Sequence, residues 1–109
     1  DVKVIGADVD QYDDGTNGSE NIVLTSARKF MGMNVEKALN ALVEGSFESG
    51  NVVLYADTDS TGFVKEEGRH QLSEDTLNKM NEAYNLVKDG TIVPASNFNG
   101  HTPEKFQGL

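Results

Sequence analysis

The stretch Val4-Ile5-Gly6-Ala7-Asp8-Val9-Asp10-Gln11 decides the reading of this chain. Val4 and Ile5 lead through two small residues into Asp8, Asp10 and Gln11, the pattern of a short buried strand that ends in a polar loop. In open α/β sheets, ligands sit beyond the carboxyl ends of strands, which is where these side chains point. A carboxylate in that position can accept hydrogen bonds from two sugar hydroxyls at once, a common grip on a ribose. The competing reading is a solvated, Asp-rich turn.

Working outward, residues 11–20 carry Asp13-Asp14-Gly15 and Asn17-Gly18, a turn-rich and exposed stretch. Asn21-Ile22-Val23-Leu24 is a second apolar run, and Thr25-Ser26 offers a helix N-cap. A helix is expected from there to about Glu44. Phe30, Ala38 and Leu42 lie on one row and Met31, Val35, Leu39 and Val43 on the next, as core-facing positions. Gly32 and Asn34 predict a kink, and Gly45 a stop. In this reading Lys29 sits one turn into the helix, close enough to reach back to the strand-end cleft; Arg28 has no assigned role.

Asn51-Val52-Val53-Leu54-Tyr55 reads as a strand, residues 57–62 as a loop, and Phe63-Val64 as the start of another strand. Ser73 caps a second helix with Glu74 and Asp75 in its first turn, where they suit the helix dipole. Leu77, Met80, Tyr84 and Val87 form its apolar stripe, and Gly90 closes it. Thr91-Ile92-Val93 is expected as a last strand before Pro94. This alternation predicts an α/β architecture with a mainly parallel sheet flanked by helices. Residues 1–94 form the domain, and residues 95–109 a tail without periodicity.

The chain has 109 residues, enough for one domain. Eighteen acidic residues against nine basic ones give a net charge of -9, a field that repels phosphate backbones and argues against a nucleic-acid partner. With no cysteine, disulfides and thiol chemistry are excluded. His70 and His101 have no ligand-spaced partners and read as surface residues.

Two other motifs compete. Asp57-Thr58-Asp59-Ser60-Thr61 fits the haloacid-dehalogenase signature, with Asp57 as nucleophile, Asp59 as acid/base and Mg²⁺ shielding the phosphate. That chemistry also needs a positioned Lys and a further acidic pair at strand ends, which the later sequence does not supply. Asp57, Asp59, Thr61 and Gly62 also match the opening of an EF-hand loop, but its twelfth position is Gly68, so the calcium reading fails.

Val4 to Gln11, followed by Val23-Leu24-Thr25-Ser26 and Lys29, resembles the basic membrane protein family of substrate-binding lipoproteins, whose best understood members are purine nucleoside receptors of ABC importers. Val52-Val53-Leu54, the helix from Ser73, and Asp89-Gly90-Thr91-Ile92-Val93-Pro94 extend the likeness over residues 1–94. The resemblance implies part of a type I periplasmic-binding-protein fold, in which two α/β lobes close on ligand like a hinged clamp. It implies that Asp8 grips ribose hydroxyls, that Lys29 also reaches the nucleoside, and that Asp10 and Gln11 belong to the same motif. It further implies an ABC permease as partner, a lipid anchor on the full-length protein at the cell surface, no cofactor and no catalysis. Ala56-Asp57-Thr58-Asp59-Ser60 departs from the family's more glycine-rich turn. The family's proteins are much longer, so this chain is expected to be a C-terminal segment holding half a site and exposing apolar surfaces that invite self-association. A ligand-sensing regulatory domain of the same fold is the third reading.

Overall fold

Alternation along Val23–Lys29 builds the centre of the molecule. In a computed structural model that describes residues 2–95, this segment is the strand β4, and its Val23, Thr25 and Ser26 are buried. Around it lie β1 (Val4–Asp8), the short hairpin β2 (Thr16–Asn17) with β3 (Glu20–Asn21), and β5 (Thr61–Phe63); the helices are α1 (Met31–Glu44) and α2 (Glu74–Lys88). The three-stranded sheet has the order β1-β4-β5. β1 runs parallel to β4, with Gly6 opposite Ser26 and Asp8 opposite Arg28. β5 runs antiparallel to β4, with Thr61 opposite Lys29. The architecture is therefore α/β, but the expectation of a mainly parallel sheet is corrected: the described sheet is mixed, with one pair of each kind.

Thr25 and Ser26 do not cap a helix. The Thr25 hydroxyl donates to the Val64 carbonyl at 2.8 Å, and the Ser26 Oγ accepts from the Gln11 N–H at 3.1 Å. Their polarity is thus consumed sideways, across the sheet, and the strand continues to Lys29. Phe30 breaks it by donating its N–H to the Ser60 carbonyl, and α1 begins at the next residue. The expected kink near Gly32 is in fact the helix start. Gly45 ends α1 as predicted, at φ 73°, a left-handed conformation that glycine adopts without strain. α2 also starts as predicted, with the Ser73 side chain accepting from the Thr76 N–H.

Two expected strands do not form. Residues 51–55 and 91–93 belong to no ladder among the described residues. A run that is apolar at every position needs cover on both faces, yet Val52 and Val53 are each 71% exposed. The predicted core face of α1 is likewise open, with Met31, Val35, Leu39 and Leu42 each more than half exposed. By contrast, the α2 stripe of Leu77, Met80, Tyr84 and Val87 is half-buried, as its spacing requires. Val23, Ala56 and Val64 are the buried apolar residues of the described chain, and β1 is an exposed edge apart from Gly6. Residues 96–109, including His101 and most of the predicted tail, lie outside the described residues. No helix among the described residues is long and apolar enough to cross a membrane.

Gly6 sets how closely β1 approaches β4. A Cβ built there would collide with the Ser26 Oγ and lie 3.0 Å from the Gln11 Cβ. Both neighbours are engaged in the hydrogen bond that closes the loop onto the sheet. Gly6→Ala is accordingly expected to destabilise by roughly 1–3 kcal/mol through overpacking. Urea denaturation checks this, and an unchanged midpoint would show that the two strands have room to part.

Candidate functional site

The site forms where β1 and β4 end side by side. Parallel pairing brings the carboxyl ends of both strands to one edge, so Asp8 and Lys29 meet although they lie 21 positions apart in the chain. Lys29 Nζ lies 2.8 Å from Asp8 Oδ1. Lys29 is not one turn into a helix, as its position after Thr25-Ser26 suggests, but the last residue of β4. The expected proximity holds through a different element.

Asp8 has φ 71°, and across it the Val9 N–H donates to the Ala7 carbonyl at 2.9 Å. This is a γ-turn of the rare, positive-φ kind, which is strained for a residue with a side chain. Such strain costs on the order of 1–3 kcal/mol. The ion pair does not repay it, because both side chains are more than half exposed, and pairs of that kind contribute about 0–1 kcal/mol. The turn therefore presents a charged group toward solvent in a backbone conformation that the exposed ion pair does little to offset, and outliers of this kind cluster at functional sites.

Asp10 and Gln11 are used differently. Asp10 Oδ1 accepts from the Tyr12 N–H at 2.9 Å, and Oδ2 accepts from Arg69 Nε at 2.7 Å. Gln11 Oε1 accepts from the Ala7 N–H at 2.8 Å, while the Gln11 N–H donates to Ser26. Both residues brace the loop that follows Asp8. The Arg69 guanidinium holds the Asp10 carboxyl below its ordinary value, chiefly by hydrogen bonding.

Arg69 also forks onto Asp13, at 2.7 Å and 3.0 Å, and lies 5.3 Å above the Tyr12 ring. Sequence reasoning misses it because it stands in a polar loop without periodicity. The surplus of carboxylates in residues 8–14 is the signal that calls for such a cation. Arg28, likewise unassigned from sequence, stacks 4.8 Å over Phe30 and pairs with Glu66 at 2.9 Å. His70 Nδ1 accepts from the Leu72 N–H at 3.1 Å, a local loop bond.

The Asp57–Asp59 motif takes another form. Ala56–Thr58 is a single 3-10 turn, Asp57 is exposed, and Asp59 adopts φ 55°. Asp59 Oδ1 accepts from Lys88 Nζ at 2.6 Å and from the Tyr84 hydroxyl at 3.2 Å. The Lys88 hydrogen bond holds the Asp59 carboxyl below its ordinary value, and burial pushes the Tyr84 phenol up. These contacts dock α2 onto the turn before β5. Among the described residues, no three His, Asp or Glu side chains come together as a metal-binding group. No family model matches the sequence.

The depressed Asp10 carboxyl has a consequence for stability. A group whose folded pKa lies below its unfolded value of about 3.8 stabilises the fold above that value and loses the contribution as pH falls through the folded one. Urea midpoints should therefore drop as pH is lowered below about 4, with a shallower drop in Asp10→Asn. Parallel curves for the two proteins would show that the Arg69 contact carries no stability.

Proposed function

We propose that this chain is part of a solute-binding component of an ABC importer and captures a nucleoside-type small molecule, most simply a purine nucleoside, without chemical conversion. One observation carries the reading: an exposed carboxylate held in a strained turn, 2.8 Å from a lysine, where two parallel strands end. Asp8 is geometrically able to accept hydrogen bonds from both hydroxyls of a ribose, since a carboxylate offers about four lone-pair sites. Lys29 orients that carboxylate and donates to the ligand as the ion pair opens. Asp10 and Gln11 act behind Asp8 by holding its loop, not by touching the ligand.

The resemblance set out from Val4–Gln11 and from Val23–Ser26 with Lys29 supports the same assignment, and with it a type I periplasmic-binding-protein fold and a lipid-anchored place at the cell surface. In such a clamp a second lobe closes over the strand ends, and contacts available only in the closed state stabilise capture. The open apolar faces of α1 and of residues 52–55 agree with a domain that needs further cover.

In a polypeptide that carries this chain together with the second lobe, Asp8→Ala is expected to weaken purine nucleoside affinity by about 2 kcal/mol, roughly 30-fold, the scale for losing a charge-assisted pair of hydrogen bonds. Isothermal titration measures this, and an unchanged Kd removes Asp8 from the site. Magnesium-dependent hydrolysis of a phosphate ester, lost in Asp57→Asn, would replace the binding reading with the phosphatase one.

A further inference from the structure

A strained turn persists only where its surroundings over-determine it, and the supports of the Asp8 turn can be traced from both sides. Upstream, Ala7 and Asp8 are fixed by the ladder with Ala27 and Arg28, and the Ala7 N–H is bound by Gln11. Downstream, among the described residues, no ladder continues. The Gln11 N–H is held by Ser26 and the Tyr12 carbonyl by the Asn21 side chain, while the side chains of Asp10 and Asp13 are held by the Tyr12 N–H and by three donors of one guanidinium. Arg69 Nε binds Asp10, and its two terminal nitrogens bind Asp13. The ring of Tyr12 packs under the same group. Arg69 comes from the segment between β5 and α2, 59 positions along the chain from Asp10.

We propose that Arg69 is the positioning residue of the Asp8 site, clamping residues 10–13 so that Asp8 keeps its positive-φ turn and its carboxylate stays on Lys29. The planar fork matters. Binding two separate carboxylates through three directed N–H groups is within reach of a guanidinium but not of an ammonium, which is a compact point charge. Without the fork, Gln11 and Tyr12 keep their bonds to Ser26 and Asn21, but Asp10 and Asp13 lose the cation that ties them together, and Asp8, next to that loosened loop, relaxes toward extended backbone and moves its carboxylate off the strand end. Arg69 touches neither Asp8 nor Lys29, so it acts on them only through the loop. The consequence for ligand affinity rests on the nucleoside-binding reading; the conformational consequence does not.

The test uses the 109-residue chain first. The three-bond HN–Hα coupling of Asp8 reports its φ directly. It is expected to shift toward the larger, extended-backbone value in Arg69→Ala and Arg69→Lys, and part of the way in Asp13→Asn, while the amide resonances of α2 stay in place. Asp13 is largely exposed, so its variant keeps the fold even where Arg69→Ala does not, and Arg69→Lys keeps the charge. An Asp8 coupling unchanged in Arg69→Lys and in Asp13→Asn overturns the proposal. In the two-lobed protein, inosine affinity should fall about tenfold in Arg69→Lys if the relaxed turn leaves one molecule in ten competent. An affinity equal to that of the parent protein, alongside an altered coupling, also overturns the positioning role. A parent protein that binds no nucleoside while the coupling still shifts removes the binding reading and leaves the clamp standing.

Discussion

Close approach of β1 to β4 at Gly6 is the constraint on which the remainder of this structure depends. With no side chain at that position, the Ser26 hydroxyl can rise between the strands and accept the Gln11 N–H. That bond turns the chain back immediately after Asp8, and Gln11 then closes on Ala7. Because the two strands are parallel, their carboxyl ends coincide, and Asp8 and Lys29 face each other across the end of the ladder. A wider spacing would remove the loop closure, the strained turn and the ion pair together.

The energetics divide the acidic residues into two kinds. Asp10 and Asp59 are engaged by cations and local donors that pull their carboxyls down, so they fasten loops: Asp10 through Arg69, Asp59 through Lys88 and Tyr84. Among the described residues Asp8 has only Lys29, in an exposed pair too weak to offset its backbone conformation. Stability therefore accounts for the first kind and not for Asp8. The buried core is small, and Val23 and Val64 each contribute roughly 1.5–3 kcal/mol. A fold with so little to spare is ill placed to carry strain without return.

How much of this was legible in the sequence follows from the range of the interactions involved. The strand-end carboxylate at Asp8, the stop at Gly45, and the cap and half-buried stripe of α2 depend on local chemistry and were readable from residue type and spacing. Thr25-Ser26 misled because hydroxyl residues before a periodic run look like a cap; their actual partners, Val64 and Gln11, lie 39 and 15 positions away. Residues 51–55 have strand composition but find no strand to pair with among the described residues, and composition alone cannot supply a partner. Arg69 was invisible for the same reason: its importance comes from two carboxylates more than 50 positions upstream.

The central claim is that the Asp8 carboxylate grips a sugar diol at the end of β1. The most direct measurement compares the Kd of a purine riboside with that of its 2′,3′-dideoxy analogue, in a polypeptide carrying both lobes, for the parent protein and for Asp8→Asn. The account predicts a marked preference for the riboside that largely disappears in Asp8→Asn. Equal affinity for the two ligands in the parent protein would contradict it.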